Sequence, residues 1–257
     1  SHAEFNILID NTLNNQGLFG YFGIGTIKNL SVTGSIKGGT YVGGVVGYKL
    51  SGNIHNVYNK ASIKGVSEVG GIVGRNQAGN ITSAYNNADI LATTSYAGGI
   101  SGYLYTGTIS NTYNRGEILS PLYAGGISGG SMLNYNSAYN VYHSNAITTS
   151  YNAGLVSSNS YAGGIVGYDN PARYSGSANA RSNVYYDTSI LVEYDQPYSL
   201  KPSVTTGTQA KTSDFMLYST AAEFAYNNTI WYFESSTTDT AYYPQLRVFS
   251  FNTNAEI

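Results

Sequence analysis

Five copies of Gly-Gly-x-x-Gly divide this chain, at 43–47, 70–74, 98–102, 125–129 and 163–167, in steps of 27, 28, 27 and 38 residues. A self-similarity of this length belongs to repeat architectures, in which one unit cannot bury its own apolar face and stacked neighbours build a continuous core. The motif glycines are Gly43, Gly44 and Gly47; Gly70, Gly71 and Gly74; Gly98, Gly99 and Gly102; Gly125, Gly126 and Gly129; and Gly163, Gly164 and Gly167. A nucleotide loop needs a single glycine-rich turn opening a helix, and here the motif recurs with no helical pattern behind it. Its expected role is a structural corner, where glycine supplies positive φ without a Cβ penalty and leaves room for the next coil.

Two more segments keep the same period. GNIHNVYN at 52–59, GNITSAYN at 79–86, GTISNTYN at 107–114 and NAITTSYN at 145–152 form one set, and GSI, ASI, ADI, GEI and GLV from 34 to 156 form the other. A degenerate first copy, with Gly17 and Gly20, precedes them. Three short β-like segments per period predict an all-β fold, a parallel β-solenoid of about six coils, right-handed by the general preference of parallel crossovers. Ile54, Ile81, Ile109 and Ile147 should form one inward ladder; Val45, Ile72, Ile100, Ile127 and Ile165 a second; Ile36, Ile63, Ile90, Ile118 and Val156 a third. Asn59, Asn86, Asn114 and Asn152 follow the tyrosine of each copy, where αL geometry and amide bonding along a ladder are expected. Leucine-rich repeats and propeller blades do not fit, since the leucine spacing, the helix-like half and the longer four-stranded repeat are all absent.

The period fails twice, at one corner. From the last motif glycine to the fifth position of the following segment is nine residues in regular coils, but twenty from Gly129 to Thr149 and sixteen from Gly167 to Asn183. Inserts in a solenoid bulge outward, so the two, near 130–144 and 168–178, should be spatial neighbours. They carry Tyr135, Tyr139, Tyr142, His143, Tyr168, Asp169, Arg173 and Tyr174. Tyrosine offers flat apolar area with a polar tip at low entropy cost, and loops carry function more often than the elements they join. All of these but Asp169 form the candidate ligand-binding set.

Residues 1–187 are therefore assigned to the solenoid and 188–257 to a small mixed C-terminal cap. In the cap, Pro197, Pro202 and Gly207 mark a loop, the stretch from Thr212 to about Ala225 carries N-cap residues and a helical apolar pattern, and 228–248 reads as a strand pair. A solenoid end exposes unpaired edges, and an aromatic cap is expected there.

The tyrosines Tyr58, Tyr85, Tyr113 and Tyr151 form a column whose favoured reading is structural stacking, with a glycan platform as the alternative. Asp89 and Glu117 fall on adjacent coils and could act as a carboxylate pair in a carbohydrate-active enzyme. No base, nucleophile or metal partner accompanies them, so solvated carboxylates are the favoured reading. The three histidines, His2, His55 and His143, lack zinc-helix spacing, and neither a metal nor another cofactor is expected. A formal net charge of -2, with 10% charged residues, supplies no basic field for nucleic acid. The absence of cysteine removes disulfides and thiolate sites. No apolar run approaches the roughly 18 residues of a membrane span, so no membrane insertion is expected.

Together GGIVG, GTISNTYN and GEI resemble the GLUG-motif repeats of bacterial cell-surface proteins, over roughly 17–187. NVYYDTS at 183–189, WYF at 231–233 and YYPQLR at 242–247 resemble the tail that often follows such repeats. The resemblance extends to adhesin-like filamentous proteins and to some secreted immunoglobulin A-cleaving metallopeptidases, whose repeats lie outside the catalytic part. It implies one module of a longer extracellular or surface chain. The expected function is non-enzymatic and adhesin-like, engaging a host or cell-surface protein or glycan through the corner inserts or serving as a stalk. A carbohydrate-active β-helix enzyme and a passive spacer are the alternatives.

Overall fold

The computed structural model describes residues 2–132, 134–136, 141–170, 179–188, 191–193, 208–211, 223–233 and 243–249. The strand after each glycine motif stacks in a parallel sheet of six: Phe19–Phe22, Val46–Lys49, Val73–Asn76, Ser101–Leu104, Ser128–Met132 and Val166–Asn170. The two other segments of each coil belong to a second, larger sheet. One face runs from Thr26–Lys37 through Asn53–Asn59, Asn80–Asn86, Gly107–Asn114 and Asn145–Asn152 to Ala180–Asp187, with Thr208–Lys211 added beyond it. Pairing within both sheets is parallel, so the chain is a β-solenoid whose first coil is the degenerate copy.

The apolar ladders lie in the expected register. Ile54 pairs with Ile81, Ile81 with Ile109 and Ile109 with Ile147, each fully buried. Ile63, Ile90, Ile118 and Val156 stack the same way, and the Val45-to-Ile165 ladder is joined by N–H to O bonds of 2.9–3.0 Å. Burying an aliphatic side chain of this size contributes about 1.5–3 kcal/mol, so three such ladders form the bulk of the core.

A fourth ladder is polar. Asn59, Asn86 and Asn114 each donate Nδ2 to the Oδ1 of the asparagine one coil on, at 2.8 Å every time, and the row ends at Asn152. Each amide also bridges its own corner, as when Asn114 donates to Gly116 O at 2.8 Å and accepts from Gly116 N at 3.2 Å. Full pairing is what makes buried amides tolerable there.

Two conformational expectations are corrected. Asn59, Asn86, Asn114 and Asn152 are not at positive φ; the left-handed column lies three residues earlier, at Asn29, Asn56, Ser83, Asn111, Thr149 and Asn183. The motif glycines do not take positive φ either. They answer to close approach: a Cβ on Gly99 would stand 2.5 Å from Asn114 Cγ and overlap Gly126 O, and one on Gly70 would overlap Val73 O. The Asn ladder and the carbonyls of the next coil occupy the space a side chain would need.

The described residues of the C-terminal segment form a short antiparallel pair, Trp231–Tyr232 with Gln245–Leu246. They pack along the solenoid's flank over the tyrosine column, while Leu191–Glu193 and Thr208–Lys211 add parallel strands at the solenoid's end. The expected helix falls largely outside the described residues; Glu223, Phe224 and Ala225 form a turn.

Candidate functional site

Every glycine motif is bracketed by two residues seven positions apart: Tyr41 and Tyr48, Glu68 and Arg75, Tyr96 and Tyr103, Tyr123 and Gly130, Tyr161 and Tyr168. The corner turns the chain, and the first three brackets close in space. Tyr41 and Tyr48 meet at 5.5 Å and Tyr96 and Tyr103 at 4.9 Å, both edge to face. Pairing from coil to coil then aligns Tyr21, Tyr48, Arg75, Tyr103, Gly130 and Tyr168 in one column. Tyr123 and Tyr161 continue the other, with Tyr96 stacked on Tyr123 at 4.7 Å. The result is a strip two side chains wide running along the solenoid.

Tyr41, Glu68 and Tyr96 hold φ of 64°, 54° and 57°. Non-glycine residues in this region cost on the order of 1–3 kcal/mol each. Just before Glu68 and Tyr96, between Ala92 and Ser95, the register of the neighbouring strands shifts, as at a β-bulge. Gly130 carries no ring because the Tyr96 and Tyr103 rings stand where its side chain would begin, 2.7 and 2.6 Å from a built Cβ.

At the third level a charged pair replaces the tyrosines. Arg75 Nε lies 3.0 Å from Glu68 Oε2, and Arg75 Nη1 donates to Tyr41 Oη at 3.1 Å. The guanidinium sits over the rings of Tyr105 and Tyr41 at 4.6 and 5.0 Å, a cation–π arrangement. Burial pushes the Glu68 carboxyl up to about 7 against the opposing pull of Arg75. Burial likewise pushes Tyr96 up to about 12 and Tyr103 higher, so these phenols stay neutral at physiological pH. Among the described residues, the hydroxyls of Tyr21, Tyr96, Tyr123 and Tyr168 meet no hydrogen-bonding partner in the protein.

Of the residues singled out from sequence, Tyr168 belongs to this strip, 4.9 Å from Tyr123. Tyr135, Tyr142 and His143 lie on an antiparallel hairpin that leaves the insert corner, with Tyr135 opposite Tyr142 and Asn134 opposite His143. Tyr139, Arg173 and Tyr174 lie outside the described residues. The stems of the two inserts are adjacent, since Ser128–Met132 pairs with Val166–Asn170. Asp169 turns inward and binds Arg181 at 3.2 Å, in a buried cluster with Ser131, Asn145 and Asn179. Arg181 stands at the ladder position of Ile147, so this cluster ties both stems to the core.

Asp89 and Glu117 stand on adjacent coils. The Asp89 carboxylate accepts the Glu117 backbone N–H at 3.1 Å, which gives it a local structural use. Among the described residues no three potential ligands gather at a metal site. Sequence reasoning missed Tyr41, Tyr48, Glu68, Arg75, Tyr96, Tyr103 and Tyr123. The signal was present in the seven-residue bracket, which becomes meaningful once the glycines are known to turn the chain.

A scan against protein-family models found no match, and a search of curated proteins found none. Among solved structures, the chain is similar to the crystal structure of a putative immunoglobulin A1 protease from Bacteroides ovatus. The two share 20% identity with a TM-score of 0.63, over 97% of this chain and 75% of that one. The likeness is one of fold.

Proposed function

We propose that this chain is a non-enzymatic binding module of an extracellular bacterial protein, adhesin-like in its work, engaging a surface receptor through the tyrosine strip and the neighbouring hairpin. The observation that carries this reading is the strip itself. Its rings lie outside the three core ladders, the hydroxyls of Tyr21, Tyr96, Tyr123 and Tyr168 meet no partner among the described residues, and three of its positions hold strained backbone. The GLUG-type repeat assignment belongs to the same reading and is supported by the five motif copies. Extracellular placement belongs to the same reading; among the described residues no helix is long and apolar enough to cross a membrane.

The test is binding of the purified chain to host-cell surfaces, repeated with Tyr48→Ala and with residues 130–144 trimmed to regular coil length. Loss of binding in either variant, with an unchanged unfolding midpoint, supports the reading. Binding untouched by both would remove this face as the site, and turnover of a polysaccharide abolished by Asp89→Asn would revive the enzyme.

A further inference from the structure

We propose that the strip accommodates a linear, uncharged oligosaccharide lying along the solenoid axis, with Glu68 and Arg75 together engaging neighbouring hydroxyls of one sugar. The inference rests on the binding-module reading and narrows its ligand to one chemical class.

Shape is the first argument. The strip is two side chains wide and six levels long, about 24 Å at the usual strand spacing of about 4.8 Å. That outline suits an extended polymer. The second argument is ring orientation. Tyr21 stacks on Tyr48 at 9° and Tyr96 on Tyr123 at 19°, so these rings cover one another's faces. Tyr21, at 57% exposure, starts the row and leaves one ring face open for the apolar side of a sugar. Protein hot spots instead seat aromatic or arginine anchors in desolvated pockets, and rings already packed on one another leave little room for an anchor.

The third argument is charge. Arg75 is the strip's only cation and Glu68 its only anion, and at 3.0 Å they neutralise each other. The pair offers an acidic polymer no unpaired cation, whereas a diol finds an acceptor in the carboxylate and a donor in the guanidinium. The unpartnered hydroxyls of Tyr21, Tyr96, Tyr123 and Tyr168 extend the same donor-and-acceptor chemistry along the row.

Affinity electrophoresis of the whole chain tests this with soluble mixed-linkage β-glucan, xylan and galactomannan, against polygalacturonate and heparin. Retardation by at least one neutral polymer is expected, with little by the acidic ones. Arg75→Gln and Tyr48→Ala should each weaken it about tenfold, the size expected for a lost charge-assisted bond or anchoring ring. Tyr123→Phe, which removes only a hydroxyl, covers the case of a misfolded variant and should weaken it severalfold with no change in unfolding midpoint. Preference for the acidic polymers, or neutral binding indifferent to all three substitutions, overturns the proposal. If the chain binds cell surfaces but no polymer, the sugar assignment falls and the binding module stands; if it binds neither, both fall.

Discussion

Tyr58, Tyr85, Tyr113 and Tyr151 stand one above another at 4.8, 4.8 and 5.2 Å, within 6° of parallel, and the C-terminal segment closes over them. Phe249 meets Tyr58 and Tyr85 edge-on at 5.4 and 4.9 Å, and Tyr151 donates its hydroxyl to Pro244 O at 2.6 Å. The strip on the other side of the coil uses the same residue at the same period and has a different character. Its sequence is interrupted by Glu68, Arg75 and Gly130, its rings mix stacked and edge-to-face contacts, and several hydroxyls are unpartnered. A column selected for packing repeats one geometry. The strip departs from that repetition and leaves four hydroxyls without a partner among the described residues, which is the ground for the binding proposal.

The contrast can be broken most strongly at Tyr151. Tyr151→Ala should cost about 3–5 kcal/mol, the range for removing a buried aromatic, read from denaturant unfolding. A cost no larger than that of a strip tyrosine would erase the distinction. The Asn ladder tests whether the motif corner is held by amides: Asn114→Ala should cost about 1–3 kcal/mol by orphaning groups on both neighbouring coils.

Glu68 gives the strip a pH signature that the covered column lacks. Its carboxyl is raised to about 7 in the fold from 4.5, so the folded state holds its proton more tightly. Its stabilising contribution is complete below pH 4.5 and is lost as pH rises through 7, with a slope of at most about 1.4 kcal/mol per pH unit. Glu68→Gln should flatten that part of the unfolding midpoint's pH dependence; a parallel profile in wild type and variant counts against the buried pair. The smallest effect belongs to Tyr48→Ala, expected to change stability by about 1 kcal/mol or less while weakening ligand binding.

The coils were legible from the sequence because a solenoid's period dictates which residues stack, and Ile54 through Ile147 fall in register without any knowledge of the corners. Asn59 and its equivalents were legible as a hydrogen-bonded row for the same reason. The origin of the glycines was not: positive φ and close approach both favour glycine, and the packing of Asn114 against Gly99 decides between them. The strip was hidden because Tyr41 and Tyr48 come together only when the chain turns between them. The flank cover was hidden because Tyr226, Trp231, Tyr243 and Phe249 follow no period, so nothing in their spacing shows which face they meet.

Hydroxyl-radical footprinting of individual tyrosines in the intact chain tests the division between the two columns directly. Tyr21 and Tyr48 should be oxidised much faster than Tyr113 and Tyr151, and bound ligand should slow only the first pair. Equal protection of both columns in the free protein, or ligand protection confined to Tyr113 and Tyr151, would contradict it.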